Sequence, residues 1–304
     1  MVPDPLTCTG FPRRLVGRVA RLSSLSFLGV LFAAVACGKP APLNGNAGSA
    51  DEETGSSVAR TGEQSAIAAA LVASRSAASE ACPRDMVLVE GDYCPEVRLN
   101  CKRYLDPKGG AYEHFRCAEY APSTCESRVR RRLRYCIDRH EYVADGESLP
   151  ANFQSFTHAE EICGGLGKRV CFESEWNFAC EGEAMQPYPY GFRRDADACN
   201  ADRTEIVSAA GRLRDLRSPP GAHPRCSSPF GVLDLSGNVE EFVAIDGSRP
   251  VRPAMKGAYW QPGRNFCRAA QTAHDRYYNG TETGFRCCAD VRSGVARKVR
   301  GDAG

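Results

Sequence analysis

Sixteen cysteines in 304 residues constrain this chain more than any other feature. They are spread along the sequence and are not set in the short CxxC pairs that zinc ribbons require. A reducing compartment rarely holds so many thiols, so the cysteines read as disulfides formed in an oxidising one. Such a framework decides which distant segments must meet. The 42% hydrophobic content is enough for a sizeable core, and the length admits one large domain or two small ones. The 39 basic residues nearly cancel the 37 acidic ones, which gives no case for a nucleic-acid partner.

The N-terminus supports export. Arg13, Arg14, Arg18 and Arg21 precede an apolar run from Leu22 to Val35, which is broken only by small residues. Ala34-Val35-Ala36-Cys37-Gly38 follows. This is the order of a secretory signal, and its apolar run is too short to span a bilayer comfortably. The small residues before Cys37 are similar to a bacterial lipobox, in which cleavage frees Cys37 for acylation. Ala34 stands where Leu is usual, and the alternative is an ordinary cleavage site with an incidental cysteine. Setting aside Cys8, removed with a signal, and Cys37 leaves an even number of thiols. The expectation for residues 1–37 is therefore a lipoprotein-type signal with Cys37 as the lipidation site. It places the protein, anchored by lipid, in the cell envelope on the periplasmic or surface face of the outer membrane.

Residues 38–80 are rich in Ala, Gly, Ser and acidic side chains and lack aromatics. They bury too little to offset chain entropy and read as a flexible linker, with a transient helix over Gln64–Ala78 as the alternative. Residues 81–150 are expected to form a Cys-rich N-terminal part of the domain. Met86–Gly91 reads as a strand ending in a glycine turn. Cys82, Cys94, Cys101, Cys117, Cys125 and Cys136 are even in number, so the segment can close on itself with three bridges of unassigned pairing. The run Arg128–Arg134 reads as a basic-faced strand, with a polyanion or headgroup contact as the other reading.

In residues 151–292, Thr157-His158-Ala159-Glu160 fits a capping box, and Ala159, Ile162, Cys163 and Leu166 follow at helical spacing. Glu173–Cys180 reads as a second helix. Lys256-Gly257-Ala258-Tyr259-Trp260 reads as a strand. Residues 293–304 read as a disordered tail.

These motifs carry a resemblance. Cys163-Gly164-Gly165-Leu166-Gly167-Lys168-Arg169, Glu173-Ser174-Glu175-Trp176, Gly237-Asn238, Cys267-Arg268-Ala269-Ala270 and Gly284-Phe285-Arg286-Cys287 stand in the order found in the formylglycine-generating enzyme (sulfatase-modifying factor) family. The resemblance runs from about Met86 to Asp290. It implies an α+β, C-type-lectin-like fold with much irregular backbone and a disulfide-rich build. It implies the bridges Cys163–Cys287 and Cys180–Cys267. Cys171–Cys288 and Cys199–Cys226 are further pairings suggested by their positions beside matched residues or around one loop.

The family's oxidase holds copper(I) on two cysteines, as suits a soft ion. Here the corresponding segment, Gln261 to Phe266, has no cysteine, and Ala258 stands where the family has a serine. No catalytic residue is assigned, and copper is not expected. Oxygen donors expected from the resemblance at Asn200, Asn238, Val239 and Glu241 suit calcium; the plainer reading is a left-handed turn at Asn238 and an arginine partner for Glu241. His114, His140, His158, His223 and His274 have no clustered spacing. Trp260, Gln261 and Arg264 are the candidate cleft residues.

Three functions compete. The first is a non-catalytic binding or structural module for a peptide, a glycan or an envelope protein. The second is an active formylglycine-generating or other metal-dependent oxidase, and the third a calcium-dependent lectin. A fold alone does not choose among them.

Overall fold

The computed structural model describes residues 81–110 and 112–292. The signal, Cys37, the linker and the tail lie outside the described residues. The strands are β1 (Met86–Tyr93), β2 (Val97–Arg98), β3 (Cys101–Tyr104), β4 (Cys117–Tyr120), β5 (Thr124–Cys125), β6 (Arg131–Asp138), β7 (Arg169–Val170), β8 (Glu240–Ala244), β9 (Pro253–Lys256), β10 (Thr283–Gly284) and β11 (Cys287–Asp290). Two helices, α1 (Phe156–Gly165) and α2 (Glu173–Glu181), lie between β6 and β8. The fold is α+β and rich in irregular backbone.

The main sheet has the order β1-β6-β11-β7. β1 runs antiparallel to β6, with Met86 opposite Asp138 and Tyr93 opposite Arg131. Alternation along β1 turns Val87, Val89 and Tyr93 into the core. There they meet Tyr135 and Ile137 of β6, Trp176 and Phe178 of α2, and Leu235 and Val243. Each such side chain contributes about 1.5–3 kcal/mol of burial free energy.

Gly91 is not a turn. It stays in β1 opposite Leu133, and a Cβ there would lie 2.9 Å from Phe178 Cζ. The glycine is needed for close packing against α2, which a sequence pattern does not show. The basic strand likewise starts at Arg131, not Arg128. Arg132 and Arg134 reach across to Glu90 at 2.9 and 3.1 Å, and Arg130 donates to the carbonyls of Asp92 and Glu183.

The cap of α1 also differs. Ser155 accepts the His158 N–H at 3.1 Å, while the Thr157 hydroxyl donates to the Arg276 carbonyl. A serine one residue before the helix is a stronger cap than a threonine inside it. In α2, Glu175 accepts the Phe172 N–H at 2.9 Å, and Trp176, Ala179 and Cys180 are fully buried.

Among the described residues seven disulfides cross the fold. Cys82–Cys136, Cys94–Cys125 and Cys101–Cys117 close the N-terminal part on itself. Cys163–Cys287, Cys171–Cys288 and Cys180–Cys267 tie the two helices and the segment between them to the C-terminal stretch, and Cys199–Cys226 closes a long loop. Among the described residues no helix is long and apolar enough to cross a membrane.

Candidate functional site

The site begins where β9 stops. The strand expected through Trp260 ends at Lys256, because Gly257 (φ 83°) and Ala258 (φ 56°) adopt left-handed backbone that no strand continues through. Gly257 fits against Trp176, whose Cζ2 would be 3.3 Å from an added Cβ. The chain leaves the sheet here, and its next residues wall a cleft of about 630 Å³.

Gln261 and Arg264 line this cleft together with Ala258 and Tyr259. Arg264 lies over the Phe115 ring at 4.7 Å, so the Cys-rich N-terminal part supplies one wall. Trp260 does not line the cleft. It is fully buried, with its backbone carbonyl accepting the Arg203 N–H at 2.8 Å. The alternation between neighbouring residues after Ala258 turns Tyr259 and Gln261 outward and Trp260 inward.

The opposite wall comes from β8, the segment before β10 and the turn over 274–278. It presents Glu240, Glu282, Tyr278 and His274. The Tyr278 hydroxyl donates to Glu282 Oε1 at 2.6 Å, and His274 stacks on the Tyr278 ring at 3.6 Å. Among the described residues the Glu240 carboxylate has no hydrogen-bond or ion-pair partner. Burial, aided by the Glu282 charge, pushes the Glu240 carboxyl up to about 7. Burial and the same two acids push the Tyr259 hydroxyl up to about 12. Sequence reasoning missed this acidic wall. The available signal was the pair Glu240-Glu241 at the start of a strand, where period-two alternation sends one carboxylate to the core and the other out.

Glu241 is the inward one. Its oxygens accept from Arg286 at 2.6 and 2.7 Å and from the Trp176 indole at 2.8 Å, and Glu241 and Arg286 are each 1% exposed. Asn238, at φ 61°, accepts from the Asn200 amide and the Ser218 N–H, and its own amide donates to Glu141. Asn200 Oδ1 accepts from Arg203, and Val239 donates its N–H to Glu141. Of the four residues expected around calcium, Asn200, Asn238 and Val239 thus share one hydrogen-bond network and Glu241 is bonded to Arg286 and Trp176. The side-chain oxygens of Asn200, Asn238 and Glu241 are already engaged within the protein. Close by in sequence, Asp234 is buried, and among the described residues neither carboxylate oxygen has a side-chain partner. The Gly221 backbone N–H lies near it, and burial pushes the carboxyl up to about 6. The buried acids Glu141, Asp234 and Glu241 face one guanidinium, that of Arg286. An oxygen-bound cation fits that unmatched charge at Asp234. However, no group of three or more His, Cys, Asp or Glu side chains converges among the described residues, so backbone carbonyls would have to complete the shell.

Copper(I) does not fit the cleft. No cysteine thiol lines it, and all fourteen cysteines from Cys82 to Cys288 are paired in disulfides. Gln, Arg and Tyr side chains do not replace thiolates as ligands for a soft ion.

Comparison with known structures finds similarity to the crystal structure of CarF, at 13% identity over 69% of this chain and 99% of that one, with a TM-score of 0.46. The structure of PvdO from Pseudomonas aeruginosa is similar at 17% identity over 67% of this chain and 94% of that one, with a TM-score of 0.43. Treponema denticola variable protein 1 is similar at 10% identity over 66% of this chain and 99% of that one, with a TM-score of 0.36. The profile of the sulfatase-modifying factor enzyme 1-like domain matches residues 108–291, well over half of the sequence and the whole of the cleft just described. The chain belongs to the sulfatase-modifying factor enzyme 1-like domain family.

Proposed function

We propose that this protein is an exported, lipid-anchored member of the family whose domain works as a ligand-binding module and does not run copper oxidation. One observation carries the reading: the cleft is lined without a thiol while every cysteine from Cys82 to Cys288 is bound in a bridge. The seven disulfides agree with an oxidising compartment, and the Ala34-Val35-Ala36-Cys37 sequence supports the anchor. Peptide, glycan and envelope-protein ligands all belong to this reading.

The test is a copper(I) titration of the unreduced protein with a competing chelator, followed by an assay on a cysteine-containing sulfatase-motif peptide. The reading predicts no stoichiometric copper and no aldehyde product; stoichiometric copper with turnover overturns it. Anchoring is checked by detergent phase partition, in which Cys37→Ser moves the protein to the aqueous phase. A variant that stays in the detergent phase removes the anchor from the proposal.

Calcium enters the same proposal through Asp234, whose buried oxygens lack side-chain partners among the described residues. Added calcium is expected to raise the thermal midpoint and a chelator to reverse it. Asp234→Asn abolishes the response if the cation sits there. A midpoint indifferent to both additions removes calcium.

A further inference from the structure

The acidic wall of the cleft has more order than a ligand-neutral surface needs. Glu282 Oε1 is occupied by the Tyr278 hydroxyl at 2.6 Å. Among the described residues this leaves Glu282 Oε2 and both Glu240 oxygens as acceptors without donors. No lysine or arginine forms an ion pair with either carboxylate among those residues. Arg268, which also lines the cleft, is committed elsewhere, to Glu181 and to the Cys94 and Pro95 carbonyls. Arg264 lies over Phe115. Both glutamates line the cleft together with the aromatic rings of Tyr259, Tyr278 and His274.

We propose that this end of the cleft, Glu240 and Glu282 flanked by Tyr259 and Tyr278, is a receptor for a primary ammonium group. Two independent features point to that chemistry. An ammonium offers three N–H donors in compact form, which matches the three open acceptors. Aromatic rings attract a cation lying against their faces, more strongly where water is partly excluded. A carboxylate, phosphate or sulfate ligand would meet the Glu282 charge and carboxylate oxygens with no donor to offer it, and a neutral sugar would leave the acidic wall without a countercharge. A lysine side chain of a partner protein and a free aliphatic amine share this chemistry. The inference rests on the reading of the cleft as a binding site.

The experiment is calorimetric titration of the full mature chain, solubilised in detergent, with n-butylamine, n-butanol, cadaverine and the tripeptide amide acetyl-Gly-Lys-Gly. Saturable binding of the amines and none of the alcohol is expected. Glu240→Gln and Glu282→Gln should each weaken amine binding about tenfold or more, the scale for losing one charge-assisted contact. Thermal unfolding of each variant shows that the fold is kept. If Glu240→Gln unfolds, Glu282→Gln carries the test, with Tyr278→Phe as the third variant. Tighter binding of the tripeptide than of cadaverine identifies a lysine side chain as the source, and the reverse a free amine. Absence of saturable amine binding, or equal binding by wild type and both glutamine variants, overturns the inference. The copper titration is a separate readout, so failure here leaves the non-oxidase reading standing.

Discussion

At the scale of single residues, the neighbours Glu240 and Glu241 show how one strand serves the core and the cleft. Glu241 neutralises Arg286 in the interior, bonded through both oxygens. Glu241→Ala would leave that guanidinium buried and unpaired, a loss on the order of 3–5 kcal/mol. Denaturant unfolding should show a large drop in midpoint, whereas Glu240→Ala, facing the cleft, should cost far less. Glu240 instead gives the protein a pH response. Its carboxyl is raised from 4.5 to about 7, so the folded chain holds a proton that the unfolded chain releases first. The stabilisation is full below pH 4.5 and is lost as pH rises through about 7. After allowance for partial exposure the effect is about 1–2 kcal/mol. Stability measured against pH should therefore fall across this window, and Glu240→Gln should flatten that portion of the curve. An unchanged slope would show that Glu240 is not the group responsible.

At the scale of elements, the cleft depends on turns as much as on strands. Gly237, at φ 85°, donates its N–H to the Gly257 carbonyl at 2.9 Å, joining the turn before β8 to the turn after β9. A Cβ at Gly237 would overlap the Asn200 carbonyl. Gly237→Ala combines that clash with a strained backbone and is expected to destabilise by about 2 kcal/mol or more. Thermal unfolding checks it, with Gly247→Ala as the comparison, since Gly247 has a similar positive φ but open space around it. The bridges act jointly. Cys163–Cys287 spans a separation of 124 residues and Cys101–Cys117 one of 16. With the neighbouring Cys171–Cys288 bridge intact, however, the shortest loop that Cys163–Cys287 closes is only about 9 residues, so in the chain-entropy account each of the two bridges is worth about 3 kcal/mol. Paired Cys→Ala variants should lose similar stability, read from denaturant midpoints; a far larger loss on removing Cys163–Cys287 would mean that its contribution is not loop closure.

At the scale of the whole molecule, the architecture was more legible than the cleft. The spaced motifs from Cys163 to Cys287 reveal the family because glycine, cysteine and aromatic residues at turns and bridges cannot vary freely. The copper-thiol deficit was equally plain, since Gln261 and its neighbours need no structure to be seen as non-ligands. What the sequence did not disclose depends on contacts between remote segments. Gly91 reads as a turn until Phe178 is seen against it, Trp260 reads as cleft-lining until its burial is known, and Ser155 takes the cap ahead of Thr157. The acidic wall joins Glu240 to Glu282 across a parallel strand pair, in which Thr283 lies opposite Glu240. No local pattern brings residues 42 positions apart into one site.

The central claim is that this family cleft is free of thiols: no cysteine lines it, and the cysteines of the surrounding fold are bound in bridges. The most direct measurement is alkylation of the native, unreduced protein in denaturant, followed by peptide mapping. The account predicts no alkylated cysteine between Cys82 and Cys288, with Cys267, the nearest in sequence to the cleft loop, recovered only in a peptide cross-linked to Cys180. A stoichiometrically alkylated Cys267, or any other free thiol in that range, would contradict it.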